Sequence, residues 1–305
     1  MDISFVIVNW NTKDYVIKCL RSIFQTVRGL SFDVWLVDNA SSDGSVEAVK
    51  DRFPQVHVIE NALNMGFSAA NNQAFRKMTG RYALLLNSDA ELTMGAVTEL
   101  FRFMEENRDA AIACGQLLNP DGSRQNSIAN FPSLWSLMAN ETLLQIAFPL
   151  KYPGKRRRYT APVEVESGIG ACLLVRKTAM DAVGYLDEAY FFFLEETDWA
   201  YRMKKNGWKV YFVPTARIFH AQGKSVGQNV KARMLFYHSR YLYFKKWHRN
   251  LFPLIRLTVF SRLLVNTQLT FLGVVFCAGL NRGLNRKLDT YARLIRWHRN
   301  GCPKP

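Results

Sequence analysis

Leu84-Leu85-Leu86-Asn87-Ser88-Asp89-Ala90-Glu91-Leu92 turns from an unbroken apolar run to an amide, a hydroxyl and two carboxylates within a few positions. Consecutive leucines without alternation predict a strand buried on both faces, as in a parallel sheet covered by helices. Asn87, Ser88 and Asp89 then emerge together at the C-terminal end of that strand, where open α/β sheets place ligands. Asp89 is the first candidate metal ligand. A strand end followed by a helix cap accounts for the same residues equally well, so the neighbouring segments have to decide.

Upstream, Ile3 to Val8 is a β-branched and aromatic run suited to a central strand, ending in Asn9-Trp10-Asn11-Thr12. Thr12 is placed to cap a helix, and Tyr15, Cys19, Ile23 and Val27 recur at helical spacing behind it. Val34 to Val37 follows as a second strand, ending in Asp38, whose carboxylate can accept hydrogen bonds from a ribose or a base. The first turn carries no glycine-rich phosphate fingerprint, which argues against a Rossmann dehydrogenase. A third strand, Val56 to Ile59, leads to Asn64-Met65-Gly66-Phe67-Ser68-Ala69-Ala70-Asn71-Asn72. Gly66 permits a tight backbone, and the small residues after it open a helix whose N-terminus can face an anion. The plainer alternative is that Ser68 caps the helix and Asn71 and Asn72 are solvated. Gly80 is expected to end it. Beyond Glu91, which is assigned to the following helix, the pattern predicts a helix over 93–106, a strand over 110–114 and a turn at Asn119 to Gly122.

These motifs, in this order and each at a strand end, resemble the nucleotide-sugar half of a family 2 glycosyltransferase, and most nearly its rhamnosyltransferase-like branch. The resemblance rests on Ile-Val-Asn-Trp-Asn at 7–11, Val-Asp-Asn-Ala-Ser-Ser-Asp-Gly at 37–44, the Asn64 to Asn72 segment, and Leu-Leu-Leu-Asn-Ser-Asp-Ala-Glu at 84–91. It implies a GT-A-like α/β nucleotide-sugar-binding sandwich with a mostly parallel central sheet. Asn9, Asn11, Asp38, Asn64, Gly66, Asn71, Asn87 and Ser88 would then lie around the nucleotide sugar. Gly170-Ala171-Cys172-Leu173-Leu174-Val175-Arg176 fits the family's segment between donor and acceptor halves, placing Gly170 and Ala171 on the acceptor side.

A second cluster, Leu194-Glu195-Glu196-Thr197-Asp198, follows the aromatic run Tyr190 to Phe193. On a helix Glu195 and Asp198 share a face and Glu196 points elsewhere, so the three carboxylates cannot do one job. Acids in a first helical turn are also good partners for the helix dipole. The resemblance implies that this position holds a Glu-Asp pair whose second member is the general base. Glu196 occupies that place with one methylene more, leaving the role between Glu196 and Glu195, while Asp198 orders the helix or an acceptor hydroxyl. A lone histidine after apolar residues, as at His220, is ordinarily a buried and satisfied one. The resemblance instead gives His220 a share, with Asp89, in holding Mg or Mn and the diphosphate. Asn87 stands where the family has the first Asp of an Asp-x-Asp pattern.

Charge divides the chain of 305 residues unevenly. Of its net charge of +15, residues 229–305 hold 15 lysines and arginines against one acid, Asp289, which leaves 25 against 24 in residues 1–228. Lys231 to Trp247 interleaves aromatic and basic side chains, but no nucleic-acid-binding signature accompanies it, so nucleic acid is not the expected partner. Leu251 to Leu280 is apolar yet interrupted by Arg256, Arg262, Asn266 and Gln268, with only Leu269 to Leu280 free of strongly polar side chains. A lone membrane span needs about 20 predominantly apolar residues, so helices lying on an anionic membrane surface are expected instead. The cluster Lys155 to Arg158 reads as a solvated surface loop.

Five scattered cysteines without CxxC spacing fit a reducing compartment. Met1-Asp2 and the short apolar run after it lack the features of a secretory signal. The expected organisation is a glycosyltransferase domain over 1–225 and a basic, amphipathic helical tail over 226–305, working at the cytoplasmic face of the inner or plasma membrane. The expected donor is dTDP-rhamnose, with UDP- or GDP-sugars as alternatives, and the acceptor a lipid-linked glycan. The rival readings are a glycoside hydrolase built on two carboxylates and a non-catalytic, membrane-docking nucleotide-sugar binder.

Overall fold

The computed structural model describes residues 1–138, 141–149, 151–152, 157–222 and 229–304. The chain forms two compact units, Met1–Phe131 with Pro153–Ser225, and Pro132–Tyr152 with Val226–Pro305. Lys155 and Arg156 of the basic loop, and the expected boundary at residue 225, lie outside the described residues.

In the first unit β1 (Ile3–Asn9), β2 (Phe32–Asp38), β3 (His57–Glu60) and β4 (Tyr82–Leu86) are parallel and ordered β3-β2-β1-β4. They are joined by α1 (Lys13–Thr26), α2 (Ser45–Arg52) and α3 (Phe67–Phe75). The chain continues through β5 (Ala90–Leu92), α4 (Ala96–Glu106), β6 (Ala110–Leu118) and β7 (Ile128–Ala129). After α5 (Leu134–Met138) and α6 (Glu141–Ala147) of the second unit it returns as β8 (Val163–Val165), β9 (Ser167–Gly168) and β10 (Cys172–Arg176). α7 (Lys177–Val183), α8 (Glu195–Lys205) and β11 (Lys209–His220) complete the unit. β10, β6, β11 and β5 extend the sheet beyond β4, and β8 adds to β11. β5, β8 and β10 oppose the common direction of the other sheet members, so the sheet is mostly parallel.

Alternation along each strand feeds two cores. Phe5, Ile7, Leu84, Leu86 and Leu174 pack with α1 and α4 residues such as Leu20, Ile23 and Leu100. Val6, Leu85, Leu173 and Val175 pack on the other face with Ala74, Phe75, Met180 and Trp199 of α3, α7 and α8. Burial on both faces is why β4 shows no polar alternation.

Three local expectations are corrected. Ala90 to Leu92 pairs with β11 as a strand, so Glu91 is an exposed strand residue and the next helix starts only at Ala96, after Gly95 at φ 81°. Thr12 makes no cap hydrogen bond; its hydroxyl is drawn into the strand-end network described below. Gly80 does not end α3, which stops at Phe75; a Cβ there would lie 2.5 Å from the Ser4 nitrogen, so glycine permits close approach to β1. β11 itself runs through Pro214, where a register shift between Val213 and Arg217 accommodates the missing donor.

The second unit contains α5, α6, α9 (Val230–Trp247), a short 3-10 turn at Arg249–Leu251, α10 (Phe252–Phe276) and α11 (Arg282–Arg299). Residues 132–152 therefore group with the tail, which local sequence did not indicate. Asn229 and Asn281 cap α9 and α11. The arginines that interrupt the apolar run are engaged inside the unit: Arg262 donates to the Leu137 carbonyl at 2.6 Å and Arg256 to that of His298 at 3.5 Å. α10 is one continuous helix, and Arg249–Phe276 is long and apolar enough to cross a membrane by length and composition. Most of its apolar side chains are exposed, including Leu257, Leu269, Phe271, Val275 and Phe276.

Candidate active site

Two antiparallel pairings assemble the polar residues at the end of β4. Cys172 lies opposite Leu86, so the Asn87 N–H donates to the Ala171 carbonyl at 3.0 Å. His220 lies opposite Ala90, which sets its Nε2 at 3.3 Å from Asp89 Oδ1, while the Ala221 N–H donates to the Asp89 carbonyl at 3.0 Å. A Cβ on Gly170 would stand 3.7 Å from Glu196 Cδ, so Gly170 forms the floor beside that carboxylate. Glu196, Gly170-Ala171, Asn87, His220 and Asp89 thus form one contiguous series.

His220 and Asp89 are both buried. The ring Nδ1 is 3.0 Å from Oε1 of Gln125, and Asn87 Nδ2 is 3.5 Å from Nε2. Gln125 was not foreseen: it sits in a turn-rich segment, 95 residues from its partner, with no local pattern to mark it. With Nδ1 donating to the amide carbonyl, Nε2 and the Asp89 carboxylate present lone pairs to one another, an arrangement suited to a shared cation. Among the described residues no group of three or more His, Cys, Asp or Glu could hold a metal, so Asp89 and His220 stand as a pair.

The carboxylates of α8 occupy different environments. Asp198 is completely buried; its oxygens meet Arg202 Nε at 3.0 Å and the Tyr190 hydroxyl at 3.4 Å. Arg202 also donates to the carbonyls of Val183 and Tyr185, at 2.7 and 2.6 Å, so Asp198 anchors α8 and cannot meet an acceptor hydroxyl. Glu195 is buried with Oε2 lacking a partner among the described residues, and burial, reinforced by the Glu196 charge, holds its pKa well above the usual carboxylate range. Glu196 keeps partial access to solvent, and loss of surrounding water raises its pKa to about 7. The turn before the helix is strained, with Phe193 and Leu194 at φ 72° and 66°. Such left-handed positions cost of order 1–3 kcal/mol each and persist where surrounding structure enforces them.

At the ends of β1 and β2, Asn9 Nδ2 donates to Asp38 Oδ1 at 2.8 Å, and the Ser41 N–H donates to Asp38 Oδ2 at 2.8 Å. The Thr12 hydroxyl lies 2.7 Å from Asn9 Oδ1 and 2.8 Å from the Ser88 hydroxyl. Asn9, Asp38 and Ser88 are therefore buried parts of a network that shapes the loops. Asn11 is exposed, at φ 51°, and its Oδ1 accepts from the Ser42 N–H at 2.8 Å. Asn64 Oδ1 accepts from the Gly66 N–H at 2.9 Å. Gly66 lies flush against Phe191, where a Cβ would stand 2.7 Å from its ring, and the Phe67 N–H donates to the Phe191 carbonyl at 2.7 Å. That N–H of the α3 terminus is thus committed to the aromatic loop rather than to an anion. Asn71 and Asn72 are buried, contrary to the solvated alternative; Asn72 clasps Leu186, and Asn71 Oδ1 has no partner among the described residues. Ser68 is likewise inside α3 and buried, not a cap.

The strand ends of a doubly covered, mostly parallel α/β sheet thus gather buried polar groups, with the partly accessible Glu196 carboxylate beside them. Residues 4–184 match glycosyl transferase family 2, and the chain belongs to that family. It is similar to the N-acetylglucosaminyl-diphospho-decaprenol L-rhamnosyltransferase of Mycobacterium tuberculosis, 27% identical over 232 residues, 70% of this chain and 75% of that one. It is also similar to the dTDP-rhamnosyl transferase RfbF of Shigella flexneri, 26% identical over 276 residues, 87% of this chain and 86% of the other. The fold resembles the mannosyltransferase PcManGT of Pyrobaculum calidifontis in complex with GDP-Man and Mn2+, with a TM-score of 0.57 and 14% identity over 96% of this chain and 84% of that one. GalNAc-T7 with UDP, GalNAc and Mn2+ gives a TM-score of 0.56 and 17% identity over 81% of this chain, which spans only half of that one. The chain is a family 2, rhamnosyltransferase-like glycosyltransferase, which sets aside the hydrolase reading.

Proposed function

We propose that the protein transfers a sugar, rhamnose in the favoured reading, from a nucleoside diphosphate sugar to a lipid-linked glycan during polysaccharide synthesis, with inversion at the anomeric carbon. The observation that carries the reading is the position of Glu196: partly open, against Gly170, and connected through Ala171 and Asn87 to the Asp89–His220 pair. Glu196 takes the proton of the acceptor hydroxyl, and its raised pKa suits a base that works near neutrality. Glu195, closed in and with no partner for Oε2 among the described residues, is the poorer base. Asn87 steadies the two arms of the site, bonding to Ala171 on one side and approaching His220 on the other. A divalent cation, Mg2+ or Mn2+, would be held by Asp89 and His220 and would offset the charge of the departing diphosphate. The Asn9–Asp38–Ser41 network fixes the loops that receive the nucleoside, with Asn11 at their exposed edge.

The names of the two relatives support dTDP-rhamnose as donor and a polyprenyl-linked acceptor. In the helical unit, the exposed apolar side of α10 and the basic residues Arg282, Arg286, Lys287 and Arg293 of α11 suit an anionic membrane surface on the cytoplasmic side. The full-length protein is expected to release dTDP from dTDP-rhamnose when given Mn2+ and a polyprenyl diphosphate carrying N-acetylglucosamine. Absence of nucleoside diphosphate release from dTDP-, UDP- and GDP-sugars alike would sink the proposal.

A further inference from the structure

Resting on the reading that Asp89 and His220 receive a divalent cation, we infer that Gln125 is a positioning residue that selects the tautomer and aim of His220. Gln125 is buried in the segment after β6, and its amide touches His220 twice. Nε2 donates to the His220 carbonyl at 2.5 Å, and Oε1 faces the ring Nδ1 at 3.0 Å. The same Nε2 donates to Asn119 Oδ1 at 2.8 Å, while the Asn119 amide nitrogen is engaged with the Ser123 hydroxyl at 2.8 Å. Two acceptors around one terminal atom fix which end of the Gln125 amide carries hydrogens. The carbonyl end therefore meets the ring, and Nδ1 must bear the ring hydrogen.

The consequence falls on Nε2. In the neutral ring, the form that can receive a metal, it turns a lone pair toward Asn87 Nδ2, which can donate to it at 3.5 Å, and toward Asp89 Oδ1 at 3.3 Å, which has only lone pairs to offer. A neutral imidazole in this tautomer cannot bond to the carboxylate. The opposite tautomer would donate from Nε2 to Asp89 and close the pair on itself as an ordinary buried hydrogen bond. Gln125 thus keeps the two groups as paired acceptors, open to a cation. Partners beyond a metal ligand set ring orientation in this manner, and their loss typically weakens metal binding about 10–100-fold.

Two substitutions distinguish this role from a mere clasp between β11 and the turn. Gln125→Met removes both contacts at similar length, whereas Gln125→Glu keeps the acceptor for Nδ1 and loses the donor that holds the His220 carbonyl and Asn119. Binding is read as the free Mn2+ resonance with full-length protein and dTDP, UDP or GDP, using whichever tightens Mn2+ most in the wild type. The ring is read by 15N spectra of histidine-labelled protein. Gln125→Met is expected to weaken Mn2+ binding about 10–100-fold and to convert part of His220 to the Nε2–H tautomer. Gln125→Glu is expected to retain the Nδ1–H tautomer and to bind Mn2+ more tightly than Gln125→Met. An unchanged tautomer in Gln125→Met, or weaker binding by the Glu variant than by the Met variant, overturns the inference. Asp89→Asn separates the two layers: loss of Mn2+ there with no change in Gln125→Met overturns the Gln125 role and leaves the cation reading standing. If no nucleotide tightens Mn2+ in the wild type, both fall.

Discussion

In the sheet unit polar side chains lie inside, whereas in the helical unit apolar ones lie outside. Asn9, Asp38, Ser88 and His220 are buried and each is hydrogen-bonded to another protein group, and the Asp89 carboxylate is buried beside the His220 ring. Leu257, Leu269, Phe271, Val275, Phe276 and Leu280 are exposed, although the same unit buries Ile255, Val259 and Leu263. Burying a polar group costs free energy unless it is bonded, so the first pattern marks a site held by internal partners. Exposed apolar side chains in that number, beside the basic α11, are what the proposed contact with anionic lipid rests on. In the proposed function the sheet unit carries the chemistry and the helical unit the membrane contact.

That division can be broken in order of effect. Glu196→Gln is expected to lower kcat by about 10²–10⁴ while leaving vesicle partitioning unchanged; parallel loss of both properties would deny the separation. Within the sheet unit, Asp198→Ala strands the Arg202 guanidinium and should destabilise folding by about 3–5 kcal/mol in urea denaturation. A loss below about 1 kcal/mol would mean that the carbonyls of Val183 and Tyr185 suffice for Arg202. In the helical unit, Arg286→Gln and Lys287→Gln should each cost about 1 kcal/mol, roughly fivefold, in partitioning to anionic vesicles. Turnover of a soluble short-chain acceptor should stay the same. Equal partitioning of wild type and variants would remove the membrane role.

The strands were legible because their cause is local. Phe5 to Val8, Val34 to Val37 and Leu84 to Leu86 carry continuous apolar runs of strand length that suit a two-sided sheet interior. The polar ends of those strands were legible for the same reason. What pairs with them was not, since partnership across the sheet is set by long-range register. Thr12 looked like a helix cap, yet its hydroxyl meets Ser88, 76 residues away. Ala90 to Leu92 looked like the approach to a helix, yet as β5 it carries Asp89 to His220. Asp198 looked available beside Glu195 until Arg202, one turn along α8, closed over it. Gln125 had no signal at all, being one polar residue among many in a turn.

The role of Glu196 as the base is read from the pH dependence of kcat/KM. A base with pKa raised to about 7 is protonated and inactive below that value. Transfer by the wild type should therefore fall about tenfold per pH unit on the acid side of neutrality. The same limb should be present in Glu195→Gln and absent from the residual activity of Glu196→Gln. A limb that persists in Glu196→Gln and disappears in Glu195→Gln would contradict the account.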